Sequence, residues 1–453
     1  MLDDIRLLLG LEVKPVLAGE SEISEAINKF YGIGAPILEK IVEQKKIGPI
    51  EKMQEIEDLE ALSEDASIIN FLNQILLQAI QDRATDVHLE PFEDEVRVRF
   101  RIDGVLYDIN VPPTIKYFHP AIVSRIKIMA GLNIVERRLP QDGRIKVKIA
   151  DSELDLRVSI VPSGFGEAAH IRLLSPIFLL ELEKLGLLPQ DLKIIESVIK
   201  NPHGIIFVTG PTGAGKTTTL YACLSKINSA EVNIITIEDP VEYQPPGIIQ
   251  IQVLPQMGLT FAAGLRSMLR HDPDIMMVGE VRDYETAEIA IRAALTGHLV
   301  FSTLHTNDAC GAITRLLDMG VEPFLASSSL ECVIAQRLVR LICEDCKTAI
   351  QLKSEVLEQI GPVDFDISKA TLFEGKGCEN CKFTGFKGRT GIYEILLISD
   401  AIRDLILKRS SSQEIKKKAL SLGMHTLRQD GLEKALKGLT TISEILRVTQ
   451  QEE

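Results

Sequence analysis

A chain of 453 residues exceeds what one hydrophobic core serves and predicts two to four domains. Hydrophobic residues at 45%, charged residues at 25% and a mean hydropathy of +0.12 describe ordinary soluble globular material. The net charge of −14 argues against broad attraction to nucleic acid or anionic lipid, and no apolar run approaches the roughly 18 to 20 residues that span a bilayer.

In chain order, Met1-Leu-Asp-Asp-Ile-Arg6 lacks the basic and apolar regions of a signal peptide, so a cytoplasmic location is expected. Residues 1–60 mix short amphipathic patterns with breaks such as Tyr31-Gly-Ile-Gly34. A helix fits 36–46, and the region reads as a partial docking segment without a chemical motif. Over 63–176 the pattern is that of an α+β domain. Ser67 is placed to cap a helix through Ile68, Ile69, Leu72, Ile75, Leu76 and Ala79. Val96–Ile102 alternates apolar residues with Arg97, Arg99 and Arg101, which read as the wet face of a half-buried strand, and Asp103-Gly104 is a turn signal. Further strands are expected at 145–149, 154–160 and 169–173, with a turn at Pro162-Ser-Gly164. Residues 177–190 read as a linker. From 191 to 341 apolar strands at 205–208, 234–237, 275–278 and 299–302 alternate with helical patterns, as βαβ units do. A mostly parallel sheet follows, with ligands at the carboxyl ends of its strands.

Between the strand at 205–208 and the next helical pattern lie Gly210, Pro211, Thr212, Gly213, Ala214, Gly215, Lys216, Thr217 and Thr218. This is G-x-x-x-x-G-K-[ST] in its strand–loop–helix setting, the phosphate-binding loop of nucleoside triphosphatases. The glycines let backbone N–H groups face a phosphate, and the helix N-terminus adds positive charge there. Lys216 reaches the β- and γ-phosphates, and the Thr217 hydroxyl ligates Mg²⁺. The chain is therefore expected to bind a nucleoside triphosphate.

Three other features stand at strand ends. The strand at 234–237 runs into Glu238-Asp239-Pro240, the one at 275–278 into Gly279-Glu280, and the one at 299–302 into Thr303-Leu-His305, with His298 just before it. A carboxylate at such an end can orient water or hold Mg²⁺. The aspartate usual after the 275–278 strand is replaced by Gly279, which shifts that task to Glu280, Glu238 or Asp239. Seven cysteines include Cys343-x-x-Cys346 and Cys378-x-x-Cys381, separated by residues 347–377. Two close thiol pairs suit a structural tetrahedral Zn²⁺ in a reducing compartment, with an iron–sulfur cluster or a redox pair as alternatives. Cys223, Cys310 and Cys332 read as small hydrophobes.

Gly210–Thr217, Thr236-Ile-Glu-Asp-Pro240, Asp272-Pro-Asp-Ile-Met-Met-Val-Gly-Glu-Val-Arg-Asp283 and Thr296-Gly-His-Leu-Val-Phe-Ser-Thr-Leu-His305 together resemble the four signature boxes of the type II secretion and type IV pilus ATPase superfamily. The resemblance runs from about residue 63 to 449. Glu322–Leu330 followed by Ala335–Arg340 looks more like the type II secretion branch. The resemblance implies a RecA-like P-loop ATPase domain at 191–341, preceded by a PAS-like domain and followed by a tetracysteine zinc-binding subdomain at 342–392 and a helical subdomain at 393–453. It implies a homo-hexamer, peripheral to the inner membrane and docked on secretion platform proteins, that hydrolyses ATP with Mg²⁺ to extend a pseudopilus. By motif match, Glu280, Glu238 and His305 serve the chemistry, and Arg157 and Arg172 reach the nucleotide. His298, Arg266, Arg270, Arg282 and Arg315 match positions of nucleotide contact or subunit coupling. Members usually carry a larger N-terminal region, of which 1–60 resembles only the tail. Type IV pilus extension is a second reading within the family. A nucleic-acid motor would use a similar sheet and loop, but the acidic balance and the lack of a basic stripe with interleaved aromatics speak against it.

Overall fold

The computed structural model describes residues 66–149, 152–174, 181–351 and 371–449, together with 16, 18 and 19; the expected helix at 36–46 lies outside these described residues. The chain divides into two compact units, Met1–Pro176 and Ile177–Glu453.

The described residues of the first unit form an antiparallel sheet under two helices. Helix α1 (Ala66–Gln81) leads to β1 (Ala84–Pro91), β2 (Val96–Ile102) and β3 (Val105–Ile109), then α2 (Ile115–Met129). Strands β4 (Gln141–Ile149), β5 (Ser152–Ser163) and β6 (Gly166–Leu174) complete the sheet, in the order β3-β2-β1-β6-β5-β4. Ser67 falls inside the first turn of α1 rather than ahead of it as a cap. Asp103 and Gly104 turn β2 into β3 with φ of 50° and 87°, the left-handed pair of a two-residue hairpin. One sheet face supplies Val87, Leu89, Val98, Phe100, Leu156, Val158 and Ile171 to a core closed by Phe71, Ile75, Phe118 and Ile122. The period of two then sends Asp86, His88, Arg99, Arg101, Arg157, His170 and Arg172 to the other face.

The second unit is a seven-stranded sheet ordered β15-β12-β7-β11-β10-β8-β9, parallel except at β15. Its strands are β7 (Gly204–Thr209), β8 (Ile234–Glu238), β9 (Ile248–Gln252), β10 (Ile275–Val278), β11 (Leu299–Leu304), β12 (Leu330–Ile342) and β15 (Phe386–Leu397). Helices α3 (Pro189–Val198) and α4 (Lys216–Ile227) cover one face, packing on Ile206, Val208, Met277 and Phe301. The other face, with Phe207, Ile237, Met276 and Val300, packs against α5 (Phe261–Met268), α6 (Tyr284–Leu295) and α7 (Ala309–Asp318). Burial on both faces is why the central strands read as unbroken apolar runs. Residues 181–188 belong to this unit, where Leu182, Leu185 and Leu188 are buried. After α8 (Pro323–Ser329) and β12 comes a small ribbon of β13 (Lys347–Ile350) and β14 (Leu372–Gly375). Four helices close the chain: α9 (Asp400–Leu407), α10 (Ser412–Ser421), α11 (Leu427–Leu436) and α12 (Ile442–Val448).

Candidate active site

The carboxyl ends of β7, β11, β10 and β8 stand side by side, and the phosphate loop, His305, Glu280 and Glu238 follow or close these strands. Thr209 closes β7 by donating its hydroxyl to the Leu304 carbonyl at 3.0 Å and accepting from the Thr306 N–H at 2.9 Å. The chain then folds back onto β12. A Cβ on Gly210 would sit 2.6 Å from the Gln336 carbonyl, and one on Gly215, at φ 87°, would sit 2.8 Å from Gln336 Nε2. Only glycine fits so close to a neighbouring strand while turning left-handed. Gln336 is buried and accepts the Thr219 hydroxyl at 2.7 Å, so β12 holds both the loop and the first turn of α4. Pro211, Thr212 and Gly213 are exposed at the loop's crest, Ala214 is buried beneath it, and Thr217 and Thr218 lie half-buried in the first turn of α4.

Lys216 curls over this loop, donating to the Gly210 and Pro211 carbonyls at 2.8 and 3.1 Å. Burial, aided by the charge of Arg337, brings its ammonium down to about 8, although Glu280 and Glu242 act the other way. A cation beside a glycine-rich loop that opens a helix N-terminus is a receptor for an anion.

Glu280 follows β10, its side chain 12% exposed, with Arg282 paired to one oxygen and His305 Nε2 3.4 Å from the other. Val281 N donates to Thr303 O at 3.0 Å, and the Thr303 hydroxyl donates to Gly279 O at 2.7 Å, which pins this segment to β11. A Cβ on Gly279 would lie 3.3 Å from both Glu238 Cα and the Ile237 carbonyl, so the departure from aspartate accompanies a close approach of two strand ends. Glu238 and Asp239 part company: Asp239 is exposed, whereas Glu238 is buried. Both Glu238 oxygens lie 2.7 Å from the Tyr221 hydroxyl, and the carboxylate also accepts from the Thr236 hydroxyl at 2.6 Å and Gln250 Nε2 at 3.2 Å. Burial pushes it above the usual carboxylate range despite these donors. Its place is behind α4, fixing that helix to β8 and β9.

His298 stands at the other end of β11 from His305. It precedes β11, whose six residues put roughly 17 Å between the strand's two ends. Its carbonyl accepts from Gly204 N at 3.1 Å and its ring Nδ1 lies 2.9 Å from Ala293 O, at the edge opposite the phosphate loop. Arg266 pairs with Glu285 in the first turn of α6 at 2.6 Å, and Arg270 donates to the Arg266 carbonyl at 2.8 Å. Arg315 is exposed in the last turn of α7. Within this chain these four are not gathered with Lys216 and Glu280.

Arg157 and Arg172 belong to the first unit, directly opposite each other on β5 and β6. Arg172 Nε meets Asp86 at 2.9 Å. The four motif cysteines do converge, all sulfurs lying within 4.8 Å of one another, with Cys343–Cys378 at 3.9 Å, Cys346–Cys381 at 3.8 Å and Cys378–Cys381 at 3.7 Å. An ion with Zn–S bonds of about 2.3 Å in a tetrahedron holds its sulfurs about 3.8 Å apart. Gly385 N and Cys378 N donate to Cys381 Sγ at 3.3 and 3.2 Å, support that a thiolate needs. The donor set fits a tetrahedral metal. Cys223, Cys310 and Cys332 are buried.

Sequence reasoning passed over Gln336, Tyr221, Gln250 and Asp86. A buried glutamine inside the apolar run of β12 was the signal for the first. The others act through tertiary neighbours that spacing does not reveal.

Residues 61–447 match the family described as Type II/IV secretion system protein. A relative named Type IV pilus assembly ATPase PilB, from Myxococcus xanthus, is 47% identical over 98% of this chain and 79% of its own length. Type II secretion system protein E of Pseudomonas aeruginosa is 50% identical over 89% of this chain and 79% of its own. Among solved structures, the pilus retraction motor PilT with bound ADP has a TM-score of 0.54 at 28% identity, covering 83% of this chain and 96% of that one. The Legionella pneumophila ATPase DotB, at 21% identity, shares the fold with a TM-score of 0.60 over 84% of this chain and 95% of its own. A phosphate loop backed by Gln336, with Glu280 and His305 on the adjoining strand ends, is thus carried by a chain alike to these ATPases along most of its length: it belongs to the type II/IV secretion system protein family and is an ATPase.

Proposed function

We propose that this chain is a cytoplasmic, homo-hexameric motor, peripheral to the inner membrane, that hydrolyses ATP to drive pseudopilus assembly and protein export through a type II secretion system. The observation that carries the chemistry is Glu280, held between Arg282 and His305 and electrostatically coupled to Lys216. Lys216 and the loop amides bind the phosphates, and the Thr217 hydroxyl is the residue that would hold Mg²⁺. The metal would neutralise charge on the transferring phosphoryl group. Glu280 orients a water and takes its proton as the water oxygen attacks the γ-phosphorus; the bond to the β-phosphate breaks, leaving ADP and inorganic phosphate. Arg157 and Arg172 add positive charge at the transferring group, and Glu238 fixes α4 from behind. Arg266, Arg270, Arg315 and His298, away from this chain's own loop, serve coupling between neighbouring copies. Zn²⁺ on the four cysteines has a structural task, since four thiolates leave no open position. The partners are the cytoplasmic domains of inner-membrane secretion platform proteins, with no nucleic acid.

The test is steady-state hydrolysis with nucleotide binding measured in parallel. Glu280→Gln should keep ATP binding and lose about a hundredfold or more in turnover. Lys216→Ala should weaken binding itself. Wild-type turnover in Glu280→Gln sinks the assignment of that residue. Type IV pilus extension is supported as a second reading by the PilB relative that matches 98% of the chain. Stimulation of hydrolysis by a secretion-platform fragment, and none by a pilus-platform fragment, decides for secretion.

A further inference from the structure

Arg337 follows Gln336 on β12 and lies half-buried beside the phosphate loop. Its two terminal nitrogens serve two different segments. Nη1 donates to the Gln336 carbonyl at 2.9 Å, and a Cβ built on Gly210 would meet that same Nη1 at 3.1 Å. Nη2 donates to the Asn307 carbonyl at 2.8 Å. Asn307 belongs to the short connection from β11 to α7, which starts at His305. His305 Nε2 lies 3.4 Å from Glu280, and its side chain is 49% exposed. A side chain that open owes its place to the backbone that carries it. The ladder between β11 and β7 ends at Leu304 and Thr209. Beyond it, the Thr306 N–H donates to the Thr209 hydroxyl at 2.9 Å, and Arg337 holds the next residue. The far end is fixed where Glu394 on β15 accepts the Ala309 N–H at 2.9 Å.

We propose that Arg337 is a positioning residue for ATP turnover: its guanidinium ties the connection bearing His305 to the strand behind the phosphate loop, so that the Glu280–His305 pair keeps its spacing from Lys216. This rests on the reading of Glu280 as the group that orients water, with His305 beside it. Lys216 and His305 are carried by different strands, and a misplacement of about 1 Å between the reacting parts of a site costs on the order of a hundredfold in rate. A planar fork fixes the direction of both bonds at once, whereas a lysine keeps the charge and loses the fork. The charge has a separate effect. Glu280 and Glu242 face Lys216 and favour its ammonium, while Arg337 opposes it; Arg337 is itself faced by Glu394 and Asp308. Fork and charge can therefore be removed one at a time and read independently.

The test measures ATP hydrolysis at pH 7 by the full chain in its assembled form, with nucleotide affinity followed against pH and circular dichroism recorded for each variant. Arg337→Met keeps the aliphatic stem and removes fork and charge; Arg337→Lys keeps the charge. Both should lose about tenfold to a hundredfold in turnover, in kcat more than in KM. Arg337→Met should also move the alkaline fall in affinity to higher pH, because a cation facing Lys216 is gone, and Arg337→Lys should leave that fall in place. In a His305→Ala background Arg337→Met should cost little further. Arg337→Lys carries the test if Arg337→Met does not fold. Normal turnover in Arg337→Lys, with His305→Ala and Glu280→Gln impaired, overturns the positioning role and leaves the reading of Glu280 standing. Equal losses from Arg337→Met in both backgrounds also overturn it, because they mark a purely structural arginine. Normal turnover in both His305→Ala and Glu280→Gln removes the underlying reading and the positioning role with it; normal turnover in His305→Ala alone removes only the latter.

Discussion

Lys216 shows how one residue can be prepared for a ligand by discomfort. Its ammonium is drawn into the loop, bonded among the described residues to two carbonyls, and brought by burial and Arg337 to about 8. A bound phosphate favours the charged form and raises that value, so binding takes up a proton once the free lysine is neutral. Nucleotide affinity should therefore be flat with respect to this group between pH 7 and 8, then fall up to tenfold per pH unit above about 8. A fluorescent nucleotide titrated across that range checks it; a constant affinity to pH 9.5 contradicts it. Glu238 presents the opposite case, a buried carboxylate whose donors are all internal. Tyr221→Phe should destabilise the second unit by about 1–3 kcal/mol, the cost of stranding a buried acceptor, as read by denaturant unfolding. The phosphate loop and Glu280 were legible in the chain because their chemistry is local. The place of His298 at the start of β11 was not legible in the same way, because adjacency to a strand in sequence says nothing about which side chains its far end meets.

Among the elements, β7, β8, β10 and β11 were readable for a simple reason: both faces are buried, so Ile, Val, Met and Phe follow one another. β12 and β15 were not. The first carries Gln336 and Arg337 in mid-strand, and the second opens with Phe386-Lys-Gly-Arg-Thr-Gly391, which imitates a loop. What secures β15 is tertiary. Asp430 on α11 accepts the Tyr393 N–H at 2.9 Å and the Lys434 ammonium at 2.5 Å, and Lys434 also donates to the Gly391 carbonyl at 2.7 Å. Lys434 is 2% exposed and Asp430 1%. Removing one partner leaves an uncompensated buried charge, so Lys434→Ala should cost about 3–5 kcal/mol, while Asp430→Asn combined with Lys434→Met should cost less than the sum of its parts. Thermal or denaturant unfolding distinguishes the two; additive losses would show that the charges do not act as a pair.

At the scale of the molecule, the tetracysteine cluster is the feature most directly open to assay. Protein purified under reducing conditions should carry one Zn²⁺ per chain, abolished by Cys346→Ser; iron, or no metal at all, contradicts this. Its position also matters. β12 passes behind the phosphate loop at Gln336 and ends at Ile342, and Cys343 N continues the ladder to the Gly385 carbonyl at 2.9 Å. Gln336 and Cys343 are thus opposite ends of one extended rod, roughly 23 Å long. Along this stretch the strand is paired to β15, and its other edge is tied by the Leu439 carbonyl to Ile342 N and by the Thr440 hydroxyl to the Arg340 carbonyl, so a displacement of the loop is passed along it toward the thiolates. Emptying the cysteines would slacken the far mooring of that rod, and amide exchange at residues 336–342 would then quicken in step with a weaker hold on nucleotide.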